Sequence, residues 1–124
     1  MKVFIADDSP TVRERLATML AETREIQVIG QAQNAVEAKD SIHRLKPDAV
    51  ILDIRMPDGG GIEVLQNIKK NGSPPTIIVL TNYPYPQYRK RCMDEGADFF
   101  LDKSTEFEKV LDIIRSLATA RFSS

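Results

Sequence analysis

The chain of 124 residues carries 17 Lys plus Arg against 18 Asp plus Glu, a net charge of −1, with 42% hydrophobic and 28% charged residues. That size fits a single domain able to bury about two thirds of its unfolded surface, and the composition is too apolar for disorder. Near-neutral charge argues against a dedicated nucleic-acid binder, one cysteine (Cys92) excludes an internal disulfide, and no apolar run approaches the roughly 18 residues of a membrane span.

Val3-Phe4-Ile5-Ala6 is a continuous apolar run, expected as a strand covered on both faces, and Asp7 and Asp8 follow it too early for a signal peptide. A cytoplasmic protein is therefore expected. Ser9 should cap a helix with Pro10 in its first turn and Val12, Leu16, Met19 and Leu20 on one face. Ile26 to Gly30, interrupted by Gln27, reads as an edge strand. Asn34 with Glu37 has the form of a capping box ahead of Ala35, Ala38, Ile42 and Leu45. His43, the one histidine, lies mid-helix and is expected at the surface. Ala49-Val50-Ile51-Leu52 is a third strand, ended by Asp53.

Gly61 is expected to open a helix bearing Val64, Leu65 and Ile68 that stops at Asn71-Gly72. Gly59-Gly60-Gly61 has the look of a phosphate loop but lacks a following Lys-Ser/Thr, so it reads as a flexible connection. Thr76 to Leu80 is a fourth strand, followed by Thr81. Pro86 to Glu95 has the weakest helical pattern: Tyr88 and Cys92 form an i, i+4 pair, with Cys92 a small hydrophobe, while Arg89-Lys90-Arg91 suits a solvated face. Asp98 to Leu101 is a fifth strand at the other edge, followed by Lys103. Thr105 and Glu108 form a capping box ahead of Val110, Leu111, Ile114 and Leu117. Residues 1–119 form the expected domain and 120–124 a tail.

Five strand-then-helix units imply an α/β fold, a doubly wound parallel sheet with helices on both faces, where ligands bind beyond the carboxyl ends of the strands. If the order is 2-1-3-4-5, strands 1 and 3 adjoin, and Asp7, Asp8 and Asp53 converge. Three such charges repel unless a cation joins them. Only Lys103 is placed to offset them, so a hard divalent ion such as Mg²⁺ is the natural addition. An aspartate is also ionised at neutral pH and can accept a phosphoryl group without a base, with Thr81 and Lys103 placed to bind the group. Singly these residues suit a helix N-terminus or an ordinary loop. Their joint placement at successive strand ends carries the argument.

This set resembles the receiver domains of bacterial two-component response regulators, through Asp7-Asp8, Asp53-Ile54-Arg55-Met56-Pro57 with Gly61, Thr81, and Lys103 preceded by Phe100. The likeness covers essentially the whole chain. It implies a flavodoxin-like (βα)5 fold and a phosphoacceptor switch rather than an enzyme, charged by a histidine kinase or phosphotransfer protein and slow to dephosphorylate itself. By that resemblance Asp53 is phosphorylated, and Asp8, Asp53 and the Arg55 carbonyl ligate Mg²⁺ or Mn²⁺, with Asp7 acting through water. Thr81 and Lys103 bind the phosphoryl group, and Phe100 reorients with it. The face of helix 4, strand 5 and helix 5 then changes its affinity for a downstream protein, with Tyr83, Tyr85 and Tyr88 nearby. No membrane or nucleic acid is expected as a partner of this chain.

Ser104 replaces the family's usual proline, so the Lys103–Ser104 bond is expected trans, because a non-proline cis bond costs about 2.5–4 kcal/mol. Gly60 replaces a frequent polar residue, and Asn82 stands where a small residue is usual. Arg55 and Tyr83 flank the path of an attacking water and are expected, with Asn82, to prolong the phosphorylated state. An aspartyl-phosphate phosphatase would need Asp-x-Asp after strand 1, and a flavin protein a Ser/Thr/Gly-rich loop there; neither is present. A phosphate-independent binding module is disfavoured by the intact acidic set with Lys103.

Overall fold

The computed structural model describes residues 1–70 and 72–122. Its elements alternate: β1 (Lys2–Ala6), α1 (Pro10–Ala21), β2 (Gln27–Ala32), α2 (Ala35–Leu45), β3 (Ala49–Leu52), α3 (Gly60–Lys69), β4 (Thr76–Thr81), α4 (Pro86–Asp94), β5 (Phe99–Asp102) and α5 (Lys109–Phe122). The strands form one five-stranded sheet of order β2-β1-β3-β4-β5, and every pairing is parallel. The expected fold class and order are both present, with β2 and β5 at the edges.

Alternation along each strand divides the core into two layers. Phe4, Ala6, Val50, Leu52, Ile77, Val79 and Phe100 face α2, α3 and α4, where they meet Ala38, Ile42, Leu65, Ile68 and Cys92. Val3, Ile5, Ala49, Ile51, Ile78, Leu80 and Leu101 face α1 and α5, against Leu16, Leu20, Val110 and Ile114. A period of two in a sheet covered on both sides buries every residue of a central strand, which is why β3 is apolar throughout.

The helix starts follow local chemistry. Val12 N–H donates to Ser9 Oγ (3.2 Å) and Glu37 N–H to Asn34 Oδ1 (2.9 Å), so both expected caps form. The Thr105–Glu108 box does not: α5 begins only at Lys109. Asp102 and Glu106 order the segment before it, since Ser104 N–H and Oγ–H donate to Asp102 Oδ1 (2.9 and 2.7 Å) and Asp102 N–H donates to Glu106 Oε1 (3.0 Å). With Glu106 N–H bonded to the Asp102 carbonyl (2.8 Å), the chain makes turns where the helix was expected to start.

α5 continues to Phe122, so residues 120–122 of the expected tail are helical, and 123–124 lie outside the described residues. Asn71, half of the expected stop of α3, also lies outside them. His43 is exposed and Cys92 fully buried, as expected. Burial pushes the Cys92 thiol up to about 11. No cis peptide bond occurs among the described residues, so Lys103–Ser104 is trans. No described helix is long and apolar enough to cross a membrane.

Candidate functional site

The parallel ladder runs one residue beyond the strands, and this brings the acidic groups together. Asp53 N–H donates to the Ala6 carbonyl (2.9 Å), Asp7 N–H to Ala32 (3.1 Å) and Lys103 N–H to Thr81 (2.8 Å). Side chains leaving adjacent strand ends therefore share one depression. Carboxylate oxygens of Asp7, Asp8 and Asp53 all lie within 4.8 Å of one another, with Asp7 and Asp53 buried and Asp8 exposed. Three hard oxygen donors at this spacing suit a divalent cation.

Lys103 reaches back from the loop after β5. Its Nζ donates to Asp7 Oδ2 (2.7 Å) and to Asp53 Oδ2 (3.3 Å). Burial by itself would lower the lysine pKa, but the Asp7 hydrogen bond and the two carboxylate charges outweigh it and hold the ammonium above its ordinary value. Asp53 moves up to about 6: burial raises it most, Lys103 opposes that, and the Asp7 charge adds to the rise. One ammonium thus serves two buried carboxylates and leaves negative charge in excess.

The remaining oxygens are held by backbone. Asp53 Oδ1 accepts from Arg55 N–H (3.2 Å), Asp7 Oδ1 from Ser9 N–H (2.9 Å), and the Asp7 carbonyl from Arg13 Nη1 (2.7 Å). Thr81 is fully buried and its Oγ1 accepts from Tyr83 N–H (3.0 Å), so its own O–H remains available to donate. Phe100 is turned inward in the layer beneath α4, and Arg89 Nη1 donates to its carbonyl (3.3 Å). Arg55 lies over the Tyr83 ring, its Cζ 4.4 Å from the centroid, and Asn82 is exposed beside them. Arg89 thereby departs from the solvated face expected of it, whereas Lys90 and Arg91 pair with Asp94 and Glu95 on that face.

Two contributors were not singled out by the sequence. Arg13 bonds the Asp7 backbone from the first turn of α1, and no spacing marks it. Gly61 has a closer reason than helix initiation: a Cβ there would strike the Asp53 carbonyl and come within 2.7 Å of Ile54 Cα. Its N–H donates to the Ile54 carbonyl (3.0 Å), so the start of α3 lies directly on the segment carrying Asp53. The loop before it is defined rather than loose. Asp58, Gly59 and Gly60 have φ of 62°, 121° and 77°, and the Pro57 carbonyl accepts from Ala35 N–H (3.0 Å) at the start of α2.

Comparison with known proteins agrees with this geometry. The family described as response regulator receiver domain matches residues 3–115. An uncharacterized response regulatory protein of Vibrio cholerae is 37% identical over 117 residues, which are 94% of this chain and 48% of that protein. The uncharacterized transcriptional regulatory protein YvfU of Bacillus subtilis is 36% identical over 115 residues, 93% of this chain and 58% of that one. The chain spans about half the length of the curated relatives it matches. Among solved structures, the response regulator domain of Thermotoga maritima CheB is similar with a TM-score of 0.84 and 27% identity, covering 97% of this chain and 94% of that one. A chain of the Borrelia burgdorferi CheX–CheY–BeF3–Mg+2 complex gives a TM-score of 0.84 at 29% identity, covering 94% and 88%.

Proposed function

The chain belongs to the response regulator receiver domain family, whose general role is that of a regulatory phosphoacceptor in two-component signalling, and on that premise we propose that Asp53 is its acceptor. The observation that carries this reading is the Lys103 ammonium held between Asp7 (2.7 Å) and Asp53 (3.3 Å) at the carboxyl end of the sheet. A carboxylate there needs no activating base. The site's contribution is positioning and charge neutralisation.

Asp8, Asp53 and the Arg55 carbonyl would hold Mg²⁺ or Mn²⁺, with Asp7 acting through a water, and the carboxylate spacing supports this donor set. Bound there, the ion would supply charge neutralisation for phosphoryl oxygens. Lys103 would bind the same oxygens, and Thr81 would donate its free O–H to them while still accepting from Tyr83 N–H. The donor is a histidine kinase or phosphotransfer protein in the cytoplasm. The output is a change in affinity for a downstream protein through α4, β5 and α5, with Phe100 moving as Thr81 is drawn in.

The test is label uptake from a small acyl phosphate with Mg²⁺. Wild type should gain one phosphoryl group and Asp53→Asn none; label persisting in Asp53→Asn would overturn the assignment. Arg55, Tyr83 and Asn82 are further proposed to slow self-dephosphorylation, since none is a carboxylate able to orient an attacking water and two are bulky. Replacing Tyr83 and Arg55 together by Asn should shorten the phosphoryl lifetime by about tenfold or more. An unchanged lifetime would mean that hydrolysis is limited elsewhere.

A further inference from the structure

Asp53 is only 5% exposed, and Asp7, Thr81 and Lys103 around it are buried as well. A donor molecule therefore reaches the carboxylate from the solvent side, where Asp8, Asn82, Arg55 and Tyr83 lie. Arg55 belongs to the loop after β3 and Tyr83 to the loop after β4, and these strands are neighbours. The guanidinium carbon stands 4.4 Å from the Tyr83 ring centroid, so the two side chains bridge the gap between the loops. Each is tied by its backbone to a reacting group: Arg55 N–H donates to Asp53 Oδ1 (3.2 Å) and Tyr83 N–H to Thr81 Oγ1 (3.0 Å). The stack is thus fixed relative to the acceptor and is not merely a surface contact. Beside it is an open cavity of about 530 Å³ whose walls include Asp8, Arg55, Gly59, Gly60 and Tyr83.

We infer that the Arg55–Tyr83 stack is a lid across the entrance to Asp53, and that it selects phosphodonors by the bulk of their leaving group. This rests on the reading of Asp53 as acceptor. In the transfer, an Asp53 carboxylate oxygen forms a bond to phosphorus while the bond from phosphorus to the acyl oxygen breaks. The electron pair leaves with that oxygen as a carboxylate, and no proton is transferred. In-line displacement places the leaving group opposite the Asp53 oxygen, which at a buried acceptor is the entrance itself. A small leaving group passes beside the stack into the open cavity. A wide, flat one requires Arg55 and Tyr83 to separate.

Acetyl phosphate and benzoyl phosphate test this, being acyl phosphates with the same reacting bond and different bulk. Initial rates of label uptake are measured with Mg²⁺ for wild type, Arg55→Ala, Tyr83→Leu and Tyr83→Phe. Wild type should take label from acetyl phosphate faster than from benzoyl phosphate by about tenfold or more, the scale set by poor fit at a reacting centre. Arg55→Ala and Tyr83→Leu should bring the ratio toward one, whereas Tyr83→Phe, which keeps the ring, should retain the discrimination. Loss of the Arg55 charge slows both anionic donors alike, so the ratio isolates the lid from simple attraction. An Mg²⁺-induced melting shift equal to that of wild type establishes that each variant keeps its site. A wild-type ratio near one, or the same ratio in Arg55→Ala and Tyr83→Leu as in wild type, overturns the lid while leaving the acceptor intact. Uptake from neither donor, or uptake persisting in Asp53→Asn, overturns the acceptor reading and the lid with it.

Discussion

The Lys103 ammonium lies 2.7 Å from Asp7 and 3.3 Å from Asp53, so without a metal the buried site holds one positive charge against two negative ones, with Asp8 at its rim. The consequence for Asp53 has a definite sign. Its pKa in the folded protein, about 6, is above its ordinary 3.8, so its contribution to stability is fully present below pH 3.8 and is lost as pH rises through about 6. The ceiling on that loss is about 3 kcal/mol, two units at about 1.4 kcal/mol each, and coupling to Lys103 reduces it. Lys103 behaves differently. Its raised pKa keeps its contribution intact at neutral pH, and only alkaline pH removes it. Asp53→Asn should therefore stabilise the metal-free protein at pH 7.5 by about 1–2 kcal/mol and change little at pH 4. Urea unfolding in EDTA at the two pH values measures this, and equal effects at both would show that the charge on Asp53 is not what costs stability.

At the scale of elements, the loop between β4 and α4 couples the site to the far surface. Thr81 Oγ1 accepts from Tyr83 N–H, so displacement of Thr81 carries the start of that loop with it. Beyond the loop, α4 is tied to β5 where Arg89 bonds the Phe100 carbonyl (3.3 Å) and its guanidinium lies 5.8 Å from the ring centroid. A local charge change at Asp53 thereby reaches an aromatic ring through two short hydrogen-bonded steps, a route able to bias a two-state element. Thr81→Ala should accept label but lose most of the amide chemical-shift changes that phosphorylation produces in wild type across residues 83–103. Full wild-type shifts in Thr81→Ala would place the coupling in another route, such as Lys103 and β5. The late start of α5 belongs to this scale too. Asp102 and Glu106 hold the turn after β5, and the Asp102 pKa is lowered by the bonds from Ser104. Lys103 is therefore presented from an ordered loop.

For the whole molecule, the carboxylates meet only when the sheet is assembled. Asp7 and Asp53 come from adjoining β1 and β3, and in the unfolded chain they do not converge. A divalent ion that binds the folded site and not the unfolded chain stabilises by mass action. Mg²⁺ at about 100 times its dissociation constant should add roughly 2.7 kcal/mol. Scanning calorimetry with Mg²⁺ and with EDTA should show a raised melting temperature for wild type and a smaller shift for Asp53→Asn. Identical melting temperatures in both media would remove the case for a metal at these residues.

Fold class, strand order and the five residues Asp7, Asp8, Asp53, Thr81 and Lys103 were all legible in the sequence. Each of those residues follows a short apolar run, and a parallel sheet delivers the ends of its strands to one edge. The caps at Ser9 and Asn34 were legible too, because a cap satisfies backbone groups three residues away. Tertiary structure alone decided where α5 begins, since the carboxylates of Asp102 and Glu106 outcompeted an equally plausible local box at Thr105. It also decided that Gly61 must lack a side chain against the Asp53 carbonyl, that Arg89 turns inward, and that Arg55 stacks on Tyr83. The ion pair from Lys103 to Asp7 joins residues 96 apart, and the upward shift of Asp53 depends on how deeply that pair is buried. Periodicity and capping report on neighbours along the chain, whereas electrostatics and close packing depend on distances that exist only once the strands have paired.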